Sequence, residues 1–540
     1  MAINLTSKKI LIAEAHANLR ETIKHIFGSL GTRFIVEAES GVDAIAAMKK
    51  DKFDIVLCDY DLLGKKTGQQ VLDEAKHLKL LPVNAIFMIA TDEHRLGLAP
   101  NAVDNKPDDY LIKPFSLKQV SSLLEKCDNR KRFLAGIENE IDSGNLFQAI
   151  RNCEKMLELD NKSMHLQLLK MQAELSIKVG DFKTAAKVYQ DILDKRELPW
   201  ARLGLGVVAY CLADYDNAVN TFQGLIKQYP AMLEAYDWQV KAYEAMGNDR
   251  LALSSINAAV TLAPQSILRQ KKLAMLADKT DNIDLAQKAY TAIIELGKNS
   301  IHRSFSDYSG LANTYLKSNA ADKALEIAVK MAQQFKADPE AKLRAALLEI
   351  EIYREKGNER LVERAYNKIC ELNGQLNKQL PRELRLNMAK IFCLNDNREA
   401  CDEILNDLVK TYVDDKLFMK EIVALCNELI GENYVETLVE SLTQELVDFN
   451  KEAAKLFKKG DIRGARGVFE QIAAKRPNNP KVILNLIKII LHDIKTSGAS
   501  PEKIISTQSY INTAIQLGIA HDQISVLQTA LDTFKNEIEQ

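Results

Sequence analysis

The sequence predicts two architectures on one chain, a doubly wound α/β domain followed by an all-α array of helix pairs. Short apolar runs alternate with helix-like stretches only within residues 1–127, and every later apolar pattern has a helical period. Beyond that point, alanines recur at spacings of 33 to 38 residues over most of the chain and mark an internal repeat. A chain of 540 residues is also too long for one core, so at least two packed units are expected.

Five short apolar runs predict the strands of the first domain. In chain order they are KILIA, RFIVEA, DIVLCD, NAIFMIA and DDYLIK. Helix-like stretches follow them at 17–30, 42–50, 69–79, near 94–103 and at 116–126. Strands alternate with helices in this way when a parallel sheet is covered on both faces. Right-handed crossovers then place helices on alternate sides, which predicts a flavodoxin-like, five-stranded, doubly wound sheet.

The helical array is predicted from positions that recur in one register. The reference positions are Ala149, Ala185, Ala218, Ala252, Ala286, Ala324, Val362, Ala400 and Ala465. Five residues earlier stand turn residues, with Ala213 as the exception: Gly144, Gly180, Gly247, Asp281, Asn319, Gly357, Asn395 and Gly460. Twelve residues earlier stand small residues: Ala173, Gly206, Ala274, Ala312 and Ala453. Bulky rings follow four residues later, at Tyr189, Phe222, Tyr290, Tyr366 and Phe469, and helix-ending prolines twelve later, at Pro230, Pro264 and Pro477.

Together these positions resemble the tetratricopeptide repeat (TPR). The resemblance covers 128–478 in about nine units, with one extra degenerate pair near 416–447, and residues 479–540 are expected to form a helical C-terminal cap. It implies a right-handed superhelical solenoid whose concave groove binds a protein or peptide. Groove-facing offsets predict Trp200, Tyr210, Asp237 and Lys241 as partner-binding residues, while packing against the next pair is the competing interpretation.

Polar residues at the carboxyl ends of the strands predict a site in the first domain. They are Glu14, Asp59, Thr91 and Lys113. In an open α/β sheet, ligands bind beyond these strand ends. One acid can accept a phosphoryl group, a second can help to hold a divalent cation, and the amine and hydroxyl can bind phosphoryl oxygens. The set therefore predicts phosphoryl chemistry.

Four segments then resemble the receiver domain of two-component response regulators: ILIAEAHANLR, DIVLCDYD, FMIATDE and DDYLIKPF. The resemblance implies that Asp59 accepts a phosphoryl group from a histidine kinase or phosphotransfer protein, contacted by Thr91 and Lys113. It makes Thr91 and Tyr110 the switch pair, and it makes the Lys113–Pro114 bond cis. Mg²⁺ would be held by Glu14, Asp59 and the backbone carbonyl of Asp61.

Two residues depart from the receiver pattern. Ala15 stands where a second acid is expected to bind Mg²⁺, and Asp92 stands where a small residue usually follows the switch threonine. Phosphorylation at Asp59 that modulates binding by the repeats is therefore the leading hypothesis. The alternative is a pseudo-receiver scaffold that binds partners independently of phosphorylation.

Composition limits the other classes of function. The formal net charge of −2 argues against a nucleic-acid-binding body. The sequence has no apolar run of membrane-spanning length and no signal-peptide pattern, so a cytoplasmic protein is expected. The receiver resemblance implies a bacterial, non-enzymatic protein, and a homodimer is an open alternative to the monomer. The eight cysteines form no CxxC motif and are expected to be reduced, with Cys58 in the core and Cys393 and Cys401 packing without partners. The basic run at 130–132 is interpreted as a solvated linker rather than a phosphate sensor.

Overall fold

The computed structural model describes residues 5–63, 66–92, 105–159, 164–375, 380–413, 415–431, 433–476, 479–517, 519 and 521–538. The chain divides into two units. The first comprises 1–177 and 182–327, and the second comprises 178–181 and 328–540.

The first unit begins with the predicted parallel sheet. Its strands are β1 (Lys9–Ala13), β2 (Phe34–Ala38), β3 (Ile55–Asp59), β4 (Ile86–Thr91) and β5 (Asp109–Ile112). They pair in parallel in the order β2-β1-β3-β4-β5. Strands β3 and β4 are buried along their whole length, which explains why their sequences are continuous apolar runs rather than alternating ones. The predicted five-stranded doubly wound fold is confirmed.

Four described helices cover this sheet: α1 (Ala17–Ser29), α2 (Gly41–Lys50), α3 (Gly68–His77) and α4 (Leu117–Asp142). The starts of three of them are set by hydroxyl caps. Ser40 accepts a hydrogen bond from the backbone of Asp43, while Thr67 and Ser116 each form a capping box. The helix predicted near 94–103 lies outside the described residues.

Helix α4 joins the sheet domain to the repeats. Its first half buries Val120 and Leu124 in the core against one face of the sheet. Its second half buries Leu134 and Ile137 against the helices that follow. The helix continues through the predicted boundary at 127/128 without a break, so the two architectures share one helix.

Paired helices fill the rest of the first unit. They are α5 (Leu146–Glu158), α6 (His165–Val179), α7 (Phe182–Leu193), α8 (Pro199–Cys211), α9 (Tyr215–Gln228), α10 (Leu233–Ala245), α11 (Asp249–Leu262), α12 (Ile267–Lys279), α13 (Ile283–Gly297), α14 (Phe305–Lys317) and α15 (Ala321–Gln334), the last extending to the second unit. Helices α9 and α11 end just before Pro230 and Pro264, as predicted. Pro477 lies outside the described residues.

The second unit is also helical. It contains α16 (Pro339–Glu355), α17 (Glu359–Gln375), α18 (Arg382–Leu394), α19 (Arg398–Tyr412), α20 (Lys416–Leu429), α21 (Tyr434–Lys458), α22 (Ile462–Lys475), α23 (Pro480–Ser497), α24 (Pro501–Gln516) and α25 (His521–Ile538). Helix α21 contacts both α20 and α22, so the degenerate pair predicted near 416–447 shares a helix with the next pair.

The turn residues of the register adopt the left-handed backbone conformation that ends a helix. Gly144, Gly247 and Gly460 have φ values of 79°, 71° and 81°. The prediction was wrong at one turn, where Asp396 (φ 56°) rather than Asn395 is left-handed. Ala213, the sequence exception, also has φ 61°, so the turn geometry is retained without its preferred residue.

The rings of the register pack on residues that have no Cβ. A Cβ on Gly206 would lie 2.5 Å from the ring of Phe222. The rings of Tyr189 and Tyr290 sit equally tightly on Gly204 and Gly310, each on the first helix of the following pair. Rings and glycines therefore set how closely helices approach, both within a pair and between pairs.

The prediction of unpartnered Cys393 and Cys401 was wrong. These two residues form a disulfide across the turn between α18 and α19, with their Cα atoms 5.6 Å apart. Cys58, by contrast, is buried in the receiver core as predicted.

Candidate functional site

One lysine connects the two acids at the strand ends. Lys113, just after β5, donates hydrogen bonds of 2.9 Å to the carboxylates of both Glu14 and Asp59. The carboxylates are nearly inaccessible, with 1% and 6% of their side chains exposed, while 17% of Lys113 is exposed. The three predicted residues thus form one cluster at the carboxyl edge of the sheet.

The cluster has unbalanced electrostatics, because two carboxylates share one ammonium group. Burial raises the pKa of Asp59, Lys113 opposes that rise, and Glu14 adds to it. Desolvation lowers the pKa of Lys113, but its hydrogen bonds to the two acids outweigh this effect and leave the pKa raised. Lys113 therefore stays charged, and a further cation beside Asp59 would relieve the excess of negative charge.

Two hydroxyl groups near the cluster lack partners. The Oγ1 atom of Thr91 and the phenolic oxygen of Tyr110 are buried, and neither atom forms a hydrogen bond with a described residue. Burial, followed by Tyr60 and Asp73, raises the pKa of Tyr110 to about 12, so it is a neutral donor at physiological pH. An unsatisfied buried hydroxyl is costly, which makes both groups ready to bind an incoming acceptor.

The loop after β3 approaches the acceptor aspartate very closely. A Cβ on Gly68 would collide with the backbone carbonyl of Asp59, so only glycine fits at the start of α3. Asp61, the predicted backbone ligand, lies in this loop and is exposed.

Arg20 is a site residue that the sequence analysis missed. Its guanidinium donates to the backbone carbonyl of Glu14 at 2.7 Å and pairs with Glu37 in β2 and with Glu39 just after β2. The side chain is buried, so it fixes the turn that presents Glu14. The available signal was an arginine on the buried side of α1, next to a strand that ends in two acids.

The strand-end cluster supplies part of what Mg²⁺ requires. Within the described residues, no group of three or more His, Cys, Asp or Glu side chains is placed to hold a metal ion. The carboxylates of Glu14 and Asp59 nevertheless converge on one ammonium group, and Mg²⁺ commonly binds through one or two carboxylates, with water and phosphate as its other ligands. Two carboxylates are therefore in place for a Mg²⁺ ion, and Ala15 cannot add a third.

The sheet domain also contacts the repeats of the same unit. The amide of Gln70, at the start of α3, donates to the backbone carbonyl of Leu296 at 3.5 Å. Lys106 lies 3.5 Å from Glu234 on α10. His302 lies close enough to Asp73 to lower the pKa of that carboxyl, although burial of Asp73 has the larger, opposite effect. Helix α3 and the segment before β5 thus face the repeats.

The four predicted groove residues lie on α8 and α10, where most of them have partners. Asp237 accepts a bidentate pair of hydrogen bonds from Arg269, at 3.0 and 2.7 Å. The ammonium of Lys241 lies 3.8 Å from the centre of the Trp238 ring, and Tyr210 packs against the same ring. Trp200 packs edge-on against Tyr189. Trp238 was missed by the sequence analysis, although it stands one residue after Asp237.

The basic run on α4 is not simply solvated, which corrects the sequence interpretation. Arg130 and Lys131 pair with Asp108 at 2.7 and 3.2 Å, and Asp108 in turn accepts from the backbone of Phe87 on β4. Arg132 pairs with Asp128 one turn earlier. Arg130 and Lys131 therefore connect helix α4 to the residue that precedes β5.

Comparisons with known proteins agree with this division of the chain. The family model for the response regulator receiver domain matches residues 10–125, and that for the tetratricopeptide repeat matches 200–231. Chemotaxis protein CheY-3 of Vibrio cholerae is 30% identical over 132 residues, which are 24% of this chain and 98% of that protein. Chemotaxis protein CheY of Pseudomonas aeruginosa is 28% identical over 125 residues, or 23% and 97% of the two chains.

Solved structures resemble each part separately. A crystal structure of MamA covers 32% of this chain and 95% of its own, with 21% identity and a TM-score of 0.27. A receiver domain protein from Clostridium thermocellum covers 24% and 98%, with 24% identity and a TM-score of 0.21.

The sheet domain is a response regulator receiver domain, as its fold, its family match and its relatives together show. The chain belongs to the response regulators, and it fuses this receiver to an array of tetratricopeptide repeats. None of the helices described here is both long enough and apolar enough to cross a lipid bilayer.

Proposed function

We propose that this protein converts phosphorylation of Asp59 into a change in protein binding by its repeats. The observation that carries the proposal is the cluster in which Lys113 bridges Asp59 and Glu14 at the carboxyl edge of the sheet. An oxygen of Asp59 attacks the phosphorus of a phosphohistidine. The new O–P bond forms as the P–N bond breaks, and the imidazole nitrogen leaves with the electron pair and takes a proton from water.

Each neighbouring side chain has a role in this transfer. Lys113 stays charged and can follow the phosphoryl oxygens, while the unsatisfied hydroxyl of Thr91 can donate to one of them. Glu14, Asp59 and the carbonyl of Asp61 would hold Mg²⁺, which when bound neutralises charge on the phosphoryl group. Movement of Thr91 leaves space that the unpartnered Tyr110 can enter.

The contacts between the receiver and the repeats offer a route to the output. Gln70 lies in the first turn of α3, two residues after the Gly68 that touches Asp59, and its side-chain amide contacts the carbonyl of Leu296. A change in charge at Asp59 is therefore expected to alter the loop before α3 and its contact with the repeats. The output surface includes Trp200, Tyr210, Asp237 and Lys241, whose aromatic and charged groups suit a peptide with a charged segment.

A scaffold function independent of phosphorylation is the second candidate. Ala15 removes one carboxylate from the metal site, and the exposed Asp92 adds negative charge just after Thr91. In this case the bridge from Lys113 to two acids is a stable end state, and the receiver serves as a docking module.

Phosphorylation with acetyl phosphate and Mg²⁺ separates the two candidates. We expect the full chain to shift on Phos-tag gels and to release acid-labile phosphate. Asp59→Asn should abolish the shift, while Asp216→Asn, an exposed carboxylate on α9, should leave it unchanged. A folded wild-type chain without labile phosphate would exclude phosphoryl transfer and leave the scaffold.

Restoring the expected acid gives a second test. Ala15→Asp adds a carboxylate beside Glu14, so the rate of phosphorylation should rise several-fold and saturate at lower Mg²⁺ concentration.

Hydrogen exchange with and without beryllofluoride tests whether a change at Asp59 reaches the contact between Gln70 and Leu296. Amides around Leu296 should lose protection in the wild type but not in Asp59→Asn.

A further inference from the structure

A second cavity lies in the receiver, away from the acceptor site and on the side where the strands begin. It has a volume of about 550 Å³, within the range of small-molecule sites, and it is bounded by the loop between α3 and β4, the residues before β5, and helix α4. None of its lining residues belongs to the Asp59 cluster.

The lining of this cavity concentrates positive charge in a chain that is nearly neutral overall. Five lysines line it, at positions 52, 76, 79, 106 and 131, against two aspartates, Asp108 and Asp142. Lys131 pairs with Asp108 and Lys106 lies 3.5 Å from Glu234, so the excess of positive charge rests mainly on Lys52, Lys76 and Lys79. The formal net charge of the whole chain is −2. The excess of positive charge is thus local.

Several of these lysines are held by backbone carbonyls rather than by carboxylates. Lys76 donates to the carbonyl of Lys106 at 2.9 Å, and Lys52 lies 3.3 Å from that of Leu80. Desolvation lowers the pKa of Lys76 and Lys131 lowers it further, whereas Asp108 and Asp73 raise it. Ammonium groups in this condition gain from an anion that can bind more than one of them.

Apolar side chains complete the cavity. Leu81, Pro82 and Val83 form one wall, and Leu72 and Phe87 form the buried floor. A ligand that fits both features has a flat apolar ring and a chain of negative charge. A simple inorganic anion would use only the lysines, and a long acidic polymer would exceed a bounded cavity of this size.

We propose that this lysine-lined cavity binds a nucleotide, with its phosphates on the lysines and its base against Leu81, Pro82 and Val83. The proposal does not depend on phosphorylation of Asp59. The cavity is shared between the receiver and Lys131 of α4, whose second half packs against the first repeat. A bound nucleotide would therefore link the receiver to the repeats and supply a second input to the array.

Calorimetric titration of the full chain with ATP, GTP and pyrophosphate tests the proposal. EDTA is included so that the Asp59 site cannot contribute through a metal ion. We expect at least one nucleotide to bind, and more tightly than pyrophosphate because of the base contacts. The double variant Lys76→Gln with Lys79→Gln should weaken this binding by about tenfold or more, because it removes two charge-assisted contacts.

A matched control carries the same change in charge elsewhere. Lys183→Gln with Lys187→Gln alters two exposed lysines on α7 and should leave the affinity within roughly twofold of the wild type. Circular dichroism checks that both double variants are folded, and the single variant Lys52→Gln provides an independent measurement if the cavity variant is not. The proposal is overturned if no nucleotide binds at millimolar concentration, if both double variants lose affinity equally, or if pyrophosphate binds as tightly as the nucleotides.

Discussion

Asp59 in the receiver and Asp493 in the C-terminal helices are both buried aspartates that contact a lysine, yet their surroundings differ. Asp493, with 2% of its side chain exposed, pairs with Arg466 at 3.2 Å and Lys503 at 3.0 Å, and Ser497 donates to it at 2.7 Å. Desolvation opposes its ionisation, but these partners outweigh it and lower its pKa. Among the described residues, Asp59 pairs with one cation, Lys113, which it shares with Glu14, and burial raises the pKa of Asp59.

The difference separates a structural carboxylate from a reactive one. Asp493 joins three helices, α22, α23 and α24, and all of its partners stabilise the ionised form. Around Asp59 the same types of side chain are present in a smaller number, and two nearby hydroxyls remain unsatisfied. An incomplete set of partners leaves a buried group able to gain from a change of charge, and such sites are where function is expected.

Removing each carboxylate should give the largest difference in stability between the two sites. Asp493→Ala removes the counter-charge of the partly buried Lys503 and leaves Arg466 with Glu470, so it should destabilise helices α22–α24 by about 3 kcal/mol. Asp59→Asn leaves Lys113 paired with Glu14, so its effect should be about 1 kcal/mol or less. Hydrogen exchange, which reports local stability, measures both changes.

The exposed Asp448→Ala on α21 serves as the control and should change stability by about 0.5 kcal/mol at most. Equal losses of protection for Asp59→Asn and Asp493→Ala would show that the receiver cluster is structural as well.

The two sites should also respond to pH in opposite directions. The pKa of Asp59 is raised in the folded chain, so its contribution to stability is present below the ordinary value of 3.8 and is lost as the pH rises through the folded pKa. The pKa of Asp493 is lowered, so its contribution is present above 3.8 and is lost as the pH falls through the folded pKa.

Hydrogen exchange of the variants across this pH range checks the signs. The free energy of unfolding of Asp59→Asn should increase relative to that of the wild type as the pH rises from about 4. The penalty of Asp493→Asn should shrink as the pH falls below about 4. Parallel pH profiles for the two variants would contradict the assignment of opposite pKa shifts.

The sequence predicted the Asp59 cluster but not the Asp493 network, for a physical reason. Strand ends of a parallel sheet meet at one edge, so Glu14, Asp59 and Lys113 can be brought together by topology alone. Asp493, Arg466 and Lys503 meet only because of how three helices pack, and nothing in their spacing indicates it.

The repeat register was likewise predictable at positions where the structure requires one residue type, such as a small buried residue or a left-handed glycine. Buried alanines such as Ala149 and Ala218, and left-handed glycines such as Gly247, recur at fixed spacings. The left-handed turn moved from Asn395 to Asp396 because either residue tolerates that conformation, so residue type could not place it. The basic run at 130–132 needed the position of Asp108 before its role was visible.

The smallest expected effect on stability comes from removing the hydroxyl group of Thr91, which is unsatisfied, or that of Ser497, which is hydrogen-bonded. Thr91→Val replaces a buried hydroxyl that bonds to no described residue with a methyl group of the same shape, and should be neutral or stabilising by up to about 1 kcal/mol. Ser497→Ala removes a donor to the buried Asp493 and should cost about 1–2 kcal/mol. Both are measured by hydrogen exchange of the surrounding amides at neutral pH, and Thr91→Val should lose phosphorylation while keeping its fold. A clear loss of stability in Thr91→Val would mean that the hydroxyl is already bonded in the resting protein, and the receiver would then resemble the structural site more than a poised one.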